Sequence, residues 1–309
     1  MAVCTVALIV SICPLGAEEP PLKGPNLITD GTFETRDPGP VDPGDLPDGW
    51  SAEAYGRSGQ LSIVADSAPG CGHQCVQMRS QRDDSTGLHS VLIEIHPHKA
   101  YLQCGWIKVV RGEHGSGLHL GRAWYTADES PASSKHSGKN YKYIVTHADD
   151  REWTCYRQVL LPDQTPEDGQ YESHEIPSEA RFVRIWALAY RWDGTGRFDG
   201  LGLYEIDYDR WARQKIQSTL KDTDVGAAVG DIQRDLRKVS ADEKIAQEAK
   251  ALLSEFSTLQ DTLNSGKSRP VNDWIADEQR LATLIEVLEQ TRWRLKLTAL
   301  LQASPPPDE

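Results

Sequence analysis

The residues best suited to binding chemistry lie in one segment, Arg181–Tyr190. Side chains alternate along a strand, so Arg184, Trp186 and Tyr190 fall on one face of the strand that this segment predicts. The opposite face carries small apolar residues, as a packed interior requires. Indole and phenol rings can stack on the C–H face of a pyranose, while a neighbouring guanidinium binds its hydroxyl groups. The pattern predicts a binding platform whose ligand is a sugar.

Recognised catalytic motifs are missing from the sequence. It contains no Gly-x-Ser-x-Gly elbow, no His-Glu-x-x-His helix, no phosphate loop and no dinucleotide fingerprint. Acidic residues are plentiful, so counting alone does not exclude a glycosidase carboxylate pair. The sequence favours a protein that binds and is not an enzyme.

The amino-acid composition limits the classes of partner that the chain can bind. The chain has 309 residues, enough for two cores, and 26% of them are charged. The net charge of −13 argues against a nucleic-acid partner, because phosphate binding needs a basic surface. The chain has nine Trp and only four Phe, so indole rings are unusually frequent among its aromatic side chains.

The first 17 residues form a short apolar run that ends in small residues. This pattern predicts a secretory signal peptide cleaved after Ala17, and hence a secreted, periplasmic or cell-surface protein. The run is too short for a membrane-spanning helix, which needs about 20 apolar residues. A lipid-modified Cys13 is the alternative, although Ile12 is bulky where such sites have a small residue.

Removal of the signal peptide leaves Cys71, Cys75, Cys104 and Cys155. An even number of cysteines in a secreted chain predicts disulfides, and four cysteines allow three pairings. We favour Cys71–Cys75 within one loop and Cys104–Cys155 between two predicted strands. Zinc bound by Cys71 and Cys75 with His73 is the rival interpretation.

A spacer at 18–25 precedes residues 26–207. The sequence pattern of residues 26–207 predicts an all-β sandwich. Short alternating segments are separated by Gly, Asp, Pro and Ser clusters, a pattern typical of sandwiches and barrels. The predicted strands are Leu61–Ala65, Cys75–Ser80, Gly87–Ile95, Ala100–Val110, Gly117–Tyr125, Trp153–Leu161, Ala180–Tyr190 and Gly196–Tyr204. A Gly-rich turn is expected between the last two.

Residues 208–303 predict a separate all-α hairpin or bundle, followed by a disordered tail at 304–309. Ser240 and Glu243 have the spacing of a capping box, which satisfies backbone N–H groups at a helix start. Two apolar stripes at three- and four-residue steps predict two long helices joined by a loop that contains Gly266 and Pro270. The first stripe comprises Ile245, Ala249, Leu252, Phe256, Leu259 and Leu263; the second comprises Trp274, Leu281, Ile285, Leu288 and Leu295.

The β-rich part resembles a family of secreted proteins. Asn26–Glu34 is similar to the opening strand of carbohydrate-binding modules with a galactose-binding-like β-jelly roll, the group of families 4, 9, 16 and 22. Gly49-Trp50, Tyr101–Lys108 and Phe198–Leu203 are similar to later parts of that fold. The resemblance covers about residues 26–207 and none of the helical part.

The resemblance implies where ligands bind. It places Trp106 on the same concave surface as Trp186, and Trp192 and Asp193 at one end of the resulting groove. It also implies a structural Ca²⁺ where the first and last strands meet, at the positions of Glu34 and Asp199. Because Ca²⁺ takes 6–8 oxygen ligands, backbone carbonyl groups must complete that site.

Three hypotheses follow for the whole chain. The first is a secreted, non-catalytic polysaccharide-binding protein whose helices form a spacer or an assembly segment. The second is a cell-envelope scaffold whose β-domain binds protein and whose helices form a homo-oligomer. The third is an accessory fragment of a larger glycoside hydrolase.

Overall fold

A computed structural model describes residues 19–42, 45–54, 59–81, 84–132, 141–163, 174–240 and 243–303. The predicted signal peptide and the predicted disordered tail lie outside these residues. The chain divides into two compact units, and the boundary falls between Asp207 and Tyr208, where the composition changes. Among the described residues, no helix combines the length and the apolar content needed to cross a membrane.

The first unit is built from β-strands. Over the described residues these are β1 (Gly39–Val41), β2 (Trp50–Ala54), β3 (Gln60–Val64), β4 (Cys75–Ser80), β5 (Thr86–Ser90), β6 (Ile93–Glu94), β7 (Tyr101–Tyr125), β8 (Tyr141–Ala148), β9 (Thr154–Pro162), β10 (Glu175–Ile176) and β11 (Phe182–Glu205). All pairings are antiparallel except that of β10 with β9, which is parallel.

The two long strands β7 and β11 form an antiparallel ribbon that folds back on itself. A straight strand would separate Gly105 from Leu120 by roughly 50 Å. Instead, a β-carbon built on Gly105 would lie 2.8 Å from Cδ2 of Leu120. The pairing register shifts between Asp193 and Gly194 and again between Thr195 and Gly196, where the ribbon changes layer.

The ribbon supplies the middle of both layers of a sandwich. The first layer runs β1-β3-β4-β11-β7-β9-β10 and uses the C-terminal half of β11 with the N-terminal half of β7. The second layer runs β2-β5-β11-β7-β8 and uses the other halves. This arrangement confirms the predicted β-sandwich.

The inner faces match the alternation predicted from the sequence. Four inward residues of β11 are fully buried in the core, namely Val183, Ile185, Ala187 and Ala189. The predicted turn near Gly194 and Gly196 is wrong, because β11 continues through it. A side chain at Gly194 would meet the ring of Trp192, and one at Gly196 would meet Leu118. These glycines allow the layers to approach closely rather than reversing the chain.

The N-terminal segment is joined to the end of β11 by one side chain. The Nδ2 atom of Asn26 donates to the carbonyl of Leu201 at 3.0 Å, and its Oδ1 accepts from the backbone N–H of Leu203 at 3.0 Å. The backbone N–H of Leu201 donates to the carbonyl of Gly31 at 2.9 Å. The opening and closing segments of the β-unit are therefore held together.

The second unit is a bundle of helices. Over the described residues these are α1 (Tyr208–Asp222), α2 (Val225–Leu236), α3 (Lys244–Asn264) and α4 (Val271–Ala303). Arg294 pairs with Glu248 and Arg280 with Glu255, so α3 and α4 run antiparallel. This confirms the predicted helical segment after the sandwich.

Both predicted apolar stripes face the interior of this bundle. Every residue of the α3 stripe is buried, as are Trp274, Leu281, Leu288 and Leu295 of α4. Ile285 is half-buried. The predicted capping box is wrong: α3 begins at Lys244, and its N-cap Glu243 makes no side-chain cap hydrogen bond.

Candidate functional site

The outer face of the second layer carries a continuous row of rings. The ring of Trp186 stacks on Tyr141 with centroids 5.7 Å apart and planes inclined by 26°. Tyr141 contacts Tyr143 at 5.7 Å, Tyr143 contacts His119 at 5.3 Å, and His119 contacts Tyr190 at 6.1 Å. We call these five residues the aromatic row.

Strand pairing explains how three strands build the row. Trp186 and Tyr190 belong to β11, His119 to β7, and Tyr141 and Tyr143 to β8. In the register, Trp186 lies opposite Gly121, and Gly121 lies opposite Tyr143. A β-carbon on Gly121 would lie 2.7 Å from the Tyr143 ring, so glycine at this position leaves room for the neighbouring ring.

Two arginines stand beside the row. The guanidinium of Arg184 lies 5.4 Å from the ring centre of Tyr125, and that of Arg191 lies 5.4 Å from the ring centre of Tyr190. Within the described part of the chain, the buried Nε atom of Arg184 has no hydrogen-bond partner. A buried donor without a partner is costly, so this atom reduces the stability of the face.

His119 is a polar member of the row that stays neutral. Burial lowers the pKa of His119 to about 4, and the neighbouring His147 contributes to the shift. Their ring centres are 5.2 Å apart, and His147 is exposed. His119 is only 5% exposed, so its neutral ring packs between the tyrosines and supports the row from below.

Trp106 does not belong to this face. Its neighbour Ile107 is buried in the core, so Trp106 points outward from the first layer. Ile185 is buried in the same core, so Trp186 points outward from the second layer. The two indoles therefore lie on opposite sides of the sandwich. The expectation of one concave surface shared by Trp106 and Trp186 is wrong, because the ribbon folds back between them.

The residues after Tyr190 are placed differently from the prediction. Trp192 is 5% exposed and its ring lies against Gly112, where a β-carbon would be 2.7 Å from Cζ2. The expectation that Trp192 closes a groove is therefore wrong, because its ring fills the core where the ribbon bends. Asp193 lines a separate polar pocket with Arg79 and Arg111.

The face around Trp106 brings three thiols together near Gly200. A β-carbon on Gly200 would lie 2.6 Å from Sγ of Cys71 and 2.9 Å from Cδ1 of Trp106. The Sγ atom of Cys104 is 3.9 Å from the Gly200 carbonyl oxygen. Burial raises the pKa of Cys71 to about 11 and that of Cys104 to about 12, and the nearby Cys155 adds to both shifts.

The structure joins none of the four cysteines in a disulfide, so it contains neither predicted disulfide. Cys104 lies opposite Arg157 and Cys155 opposite Trp106, one diagonal step apart. Diagonal β-carbons are typically about 7 Å apart, whereas a disulfide needs about 4 Å. Cys75 is fully buried in β4, where burial raises its pKa to about 12. The described residues include no group of three metal-binding side chains, so the zinc interpretation gains no support.

Glu34 and Asp199 lie near each other at the junction of the first and last segments. Asp199 is fully buried and accepts hydrogen bonds from the backbone N–H groups of Ala68 at 2.8 Å and Gly200 at 2.7 Å. Burial raises the pKa of Asp199 to about 7, and the charge of Glu34 adds to the shift although the two N–H donors oppose it. Glu34 accepts from the N–H groups of His73 and Gln74.

Two neighbouring carboxylates are hard oxygen donors, and this chemistry fits Ca²⁺. The charge repulsion between them is what a bound cation would relieve. Carbonyl oxygens would have to supply the rest of the coordination, since the described residues offer no third acidic, histidine or cysteine ligand in one group. Bound there, Ca²⁺ would fix the opening segment against the end of β11.

Sequence reasoning missed three members of the aromatic row. Tyr141 and Tyr143 are spaced by two residues, which puts both rings on one face of a strand. That spacing was an available signal, but the segment was not assigned as a strand. His119 had no such signal, because only the pairing of β7 with β8 and β11 brings it to the rings.

The fold and the aromatic row define a β-sandwich with a ring-lined outer face, followed by a helical bundle. No model of a known protein family matches the chain, and no curated protein matches its sequence.

Several solved structures are similar to the β-unit. A family 16 carbohydrate-binding module is 16% identical with a TM-score of 0.35, over 58% of this chain and 99% of that one. A family 61 module in complex with β-1,4-galactotriose is 17% identical with a TM-score of 0.36, over 59% of this chain and 99% of that one. The matches also include xylan-binding modules of family 22.

One similar structure is an enzymatically active domain, that of the bacteriophage CBA120 tailspike protein 4. It is 9% identical with a TM-score of 0.41, over 59% of this chain but only 21% of that one. At such identities and TM-scores the likeness does not extend to individual side chains.

Proposed function

We propose that this protein is a secreted, non-catalytic polysaccharide-binding protein whose ligand lies along the aromatic row. The observation that carries the proposal is the unbroken succession of ring contacts from Trp186 to Tyr190 on one outer face. Successive rings along a β-sheet suit successive sugar units, each offering an apolar C–H face. The predicted signal peptide supports export, and the helical unit would serve as a spacer or an assembly segment.

The charges beside the row agree with a sugar ligand. Hydroxyl groups of a bound sugar can accept from the guanidinium groups of Arg184 and Arg191. Family 22 and family 61 modules are described as binding xylan and a galactotriose. For this chain we propose only the ligand class, a neutral polysaccharide.

The test is a binding screen of the full chain against neutral and acidic polysaccharides, with Trp186→Ala and Tyr141→Ala as variants. We expect wild-type binding to at least one neutral polysaccharide. Each variant should lose affinity by at least about tenfold, or about 1.4 kcal/mol, because it removes one stacking ring.

Trp106→Ala is the matched control, because it removes the same side chain from the opposite face of the sandwich. It should leave binding unchanged, and thermal melting of each variant checks folding. If no polysaccharide binds to the wild type, or if Trp106→Ala weakens binding as much as Trp186→Ala, the proposal is wrong. The first outcome would direct attention to the scaffold hypothesis.

A further inference from the structure

The polar pocket lies on the outer face of the first layer, where the β7–β11 ribbon bends. Its volume is about 280 Å³. The side chains that line it are all polar or charged, and they belong to Arg79, Ser80, Gln81, Arg111, Asp193 and Thr195. Met78, the neighbour of Arg79 in β4, is fully buried in the core, so Arg79 points outward. The pocket is therefore separate from the aromatic row, which lies on the outer face of the second layer.

Strand pairing places an arginine on each side of Thr195. In the register, Thr195 lies opposite Arg79 of β4 and opposite Arg111 of β7. Neighbouring strands are about 4.8 Å apart, so the backbones of the two arginines are roughly 10 Å apart with Thr195 between them. Two long guanidinium side chains at this separation can hold one acid group from both sides.

Two charged groups of opposite sign line the pocket without pairing. Across the described ranges, neither Arg79 nor Asp193 makes an ion pair or a side-chain hydrogen bond. Two other cations on this face, Lys108 and Arg197, lie opposite each other and both pair with Asp66. The pocket thus presents a cation that can only donate and a carboxylate that can only accept, both with unused capacity.

The backbone fixes these groups in place. The pairing of β11 with β7 shifts register before Gly194 and again after Thr195, and such bulges re-aim the neighbouring side chains. A β-carbon on Gly194 would lie 2.4 Å from the carbonyl oxygen of Arg111, so only glycine fits at this close approach. The pocket is therefore built on paired strands, which hold Asp193 and Thr195 beside Arg79.

We propose that the polar pocket binds a sugar unit that carries a carboxylate group, a uronic acid. The carboxylate of the sugar accepts hydrogen bonds from the guanidinium groups of Arg79 and Arg111. The ring hydroxyl groups donate to the carboxylate of Asp193, and the hydroxyl of Thr195 lies between the two arginines. The pocket is thus a second binding site, distinct from the aromatic row in position and in ligand chemistry.

The size and the lining of the pocket favour a sugar acid over the other anions. A water molecule occupies about 30 Å³ in the liquid, so about 280 Å³ is much more than one small inorganic anion needs. Within the described part of the β-unit, the lining contains no apolar side chain, which disfavours a ligand with an apolar body. Asp193 would repel a bare anion, whereas it accepts hydrogen bonds from sugar hydroxyl groups.

Isothermal titration calorimetry of the full chain with glucuronate tests the proposal. We expect a dissociation constant of about 1 mM, as for one small ligand in an open site. Glucose has the same ring without the acid group, so it should bind at least about tenfold more weakly. Inorganic phosphate, the probe for a simple anion site, should also bind more weakly than glucuronate.

Three substitutions assign the binding to the pocket. Arg79→Gln should weaken glucuronate binding at least about tenfold, because it removes a charged donor. Arg181→Gln is the matched control, since it removes the same charge from an exposed arginine directly before β11, and it should change the affinity by less than about twofold. Asp193→Asn should weaken the binding of glucuronate, because it removes the acceptor for the hydroxyl groups. At a site for a bare anion, it would instead strengthen binding by removing a repulsive charge.

Trp186→Ala separates this inference from polysaccharide binding along the aromatic row, and it should bind glucuronate as the wild type does. Loss of glucuronate binding in Trp186→Ala would place the acid on the row and overturn the proposal. It would also be overturned by no binding at up to about 20 mM glucuronate, well above the expected constant, or by equal affinities for glucose and glucuronate. Equal losses in Arg79→Gln and Arg181→Gln, or stronger binding by Asp193→Asn, would contradict it as well. Thermal melting of each variant checks that it is folded.

Discussion

Asp199 holds a carboxyl group in a fully buried position, and its ionisation links the stability of the β-unit to pH. Its pKa is raised from 3.8 to about 7, mainly by burial. The folded state therefore binds this proton more tightly than the unfolded state does. The associated stability is complete below about pH 4 and is lost as the pH rises through about 7.

We expect the free energy of unfolding, measured in chelator, to fall by on the order of 2 kcal/mol between pH 5 and pH 7.5 because of this group. Asp199→Asn carries no titrating proton and should show a flatter pH dependence. Denaturant unfolding at several pH values provides the measurement. Equal pH slopes for the two proteins would contradict the assignment of the buried proton to Asp199.

The proposed Ca²⁺ makes a further prediction at the same residue. Ca²⁺ stabilises the ionised carboxylates, so millimolar Ca²⁺ at pH 7.5 should raise the melting temperature of the wild type. Asp199→Asn and Glu34→Gln should each reduce that rise. If Mg²⁺ or no cation produces the same melting temperature as Ca²⁺, the proposed calcium site is wrong.

At the scale of elements, the junction between the N-terminal segment and β11 depends on a close backbone approach. A β-carbon on Gly31 would collide with the carbonyl oxygen of Leu201, a backbone atom that cannot move aside alone. Gly31→Ala should therefore reduce the free energy of unfolding by roughly 1–3 kcal/mol.

Gly24→Ala is the control for this prediction, since nothing lies within 4 Å of a β-carbon there. Its effect should stay within about 0.5 kcal/mol. Urea titrations of both variants make the comparison. Similar losses in the two variants would show that the junction is not the reason for the effect.

The elements also show what the sequence could predict. Alternation in Val183–Ala189 identified the buried face of β11, and three- and four-residue spacing identified the buried faces of α3 and α4. Both patterns depend only on local periodicity. The fold-back of the β7–β11 ribbon depends on the register between distant strands. For that reason Trp106 was assigned to the wrong face and Trp192 to a groove. The omission of β8 has another cause, because the two-residue spacing of Tyr141 and Tyr143 was a local signal of a strand.

At the scale of the whole β-unit, the aromatic row and the thiols near Gly200 occupy opposite outer faces. Modification of one face should therefore leave the other unchanged. We expect alkylation of the half-buried Cys71, Cys104 and Cys155 in the native protein to leave polysaccharide binding within about twofold of its original strength.

Mass spectrometry of the alkylated chain should find Cys75 modified last, because it is fully buried. Binding is measured on the same sample. A loss of binding that follows the modification of Cys104 or Cys155, with melting unchanged, would contradict the separation of the two faces.

The β7–β11 ribbon has a consequence for the order of folding. It joins Tyr101 to Glu205 and Tyr125 to Phe182, so every pair along it closes a long loop of chain before it gains any stability. The helices form from neighbours in sequence and need no such closure. During synthesis or refolding, the bundle should gain its structure early. The sandwich forms only after its two central strands have paired. Until then, the unpaired edges of its strands are exposed and prone to aggregation.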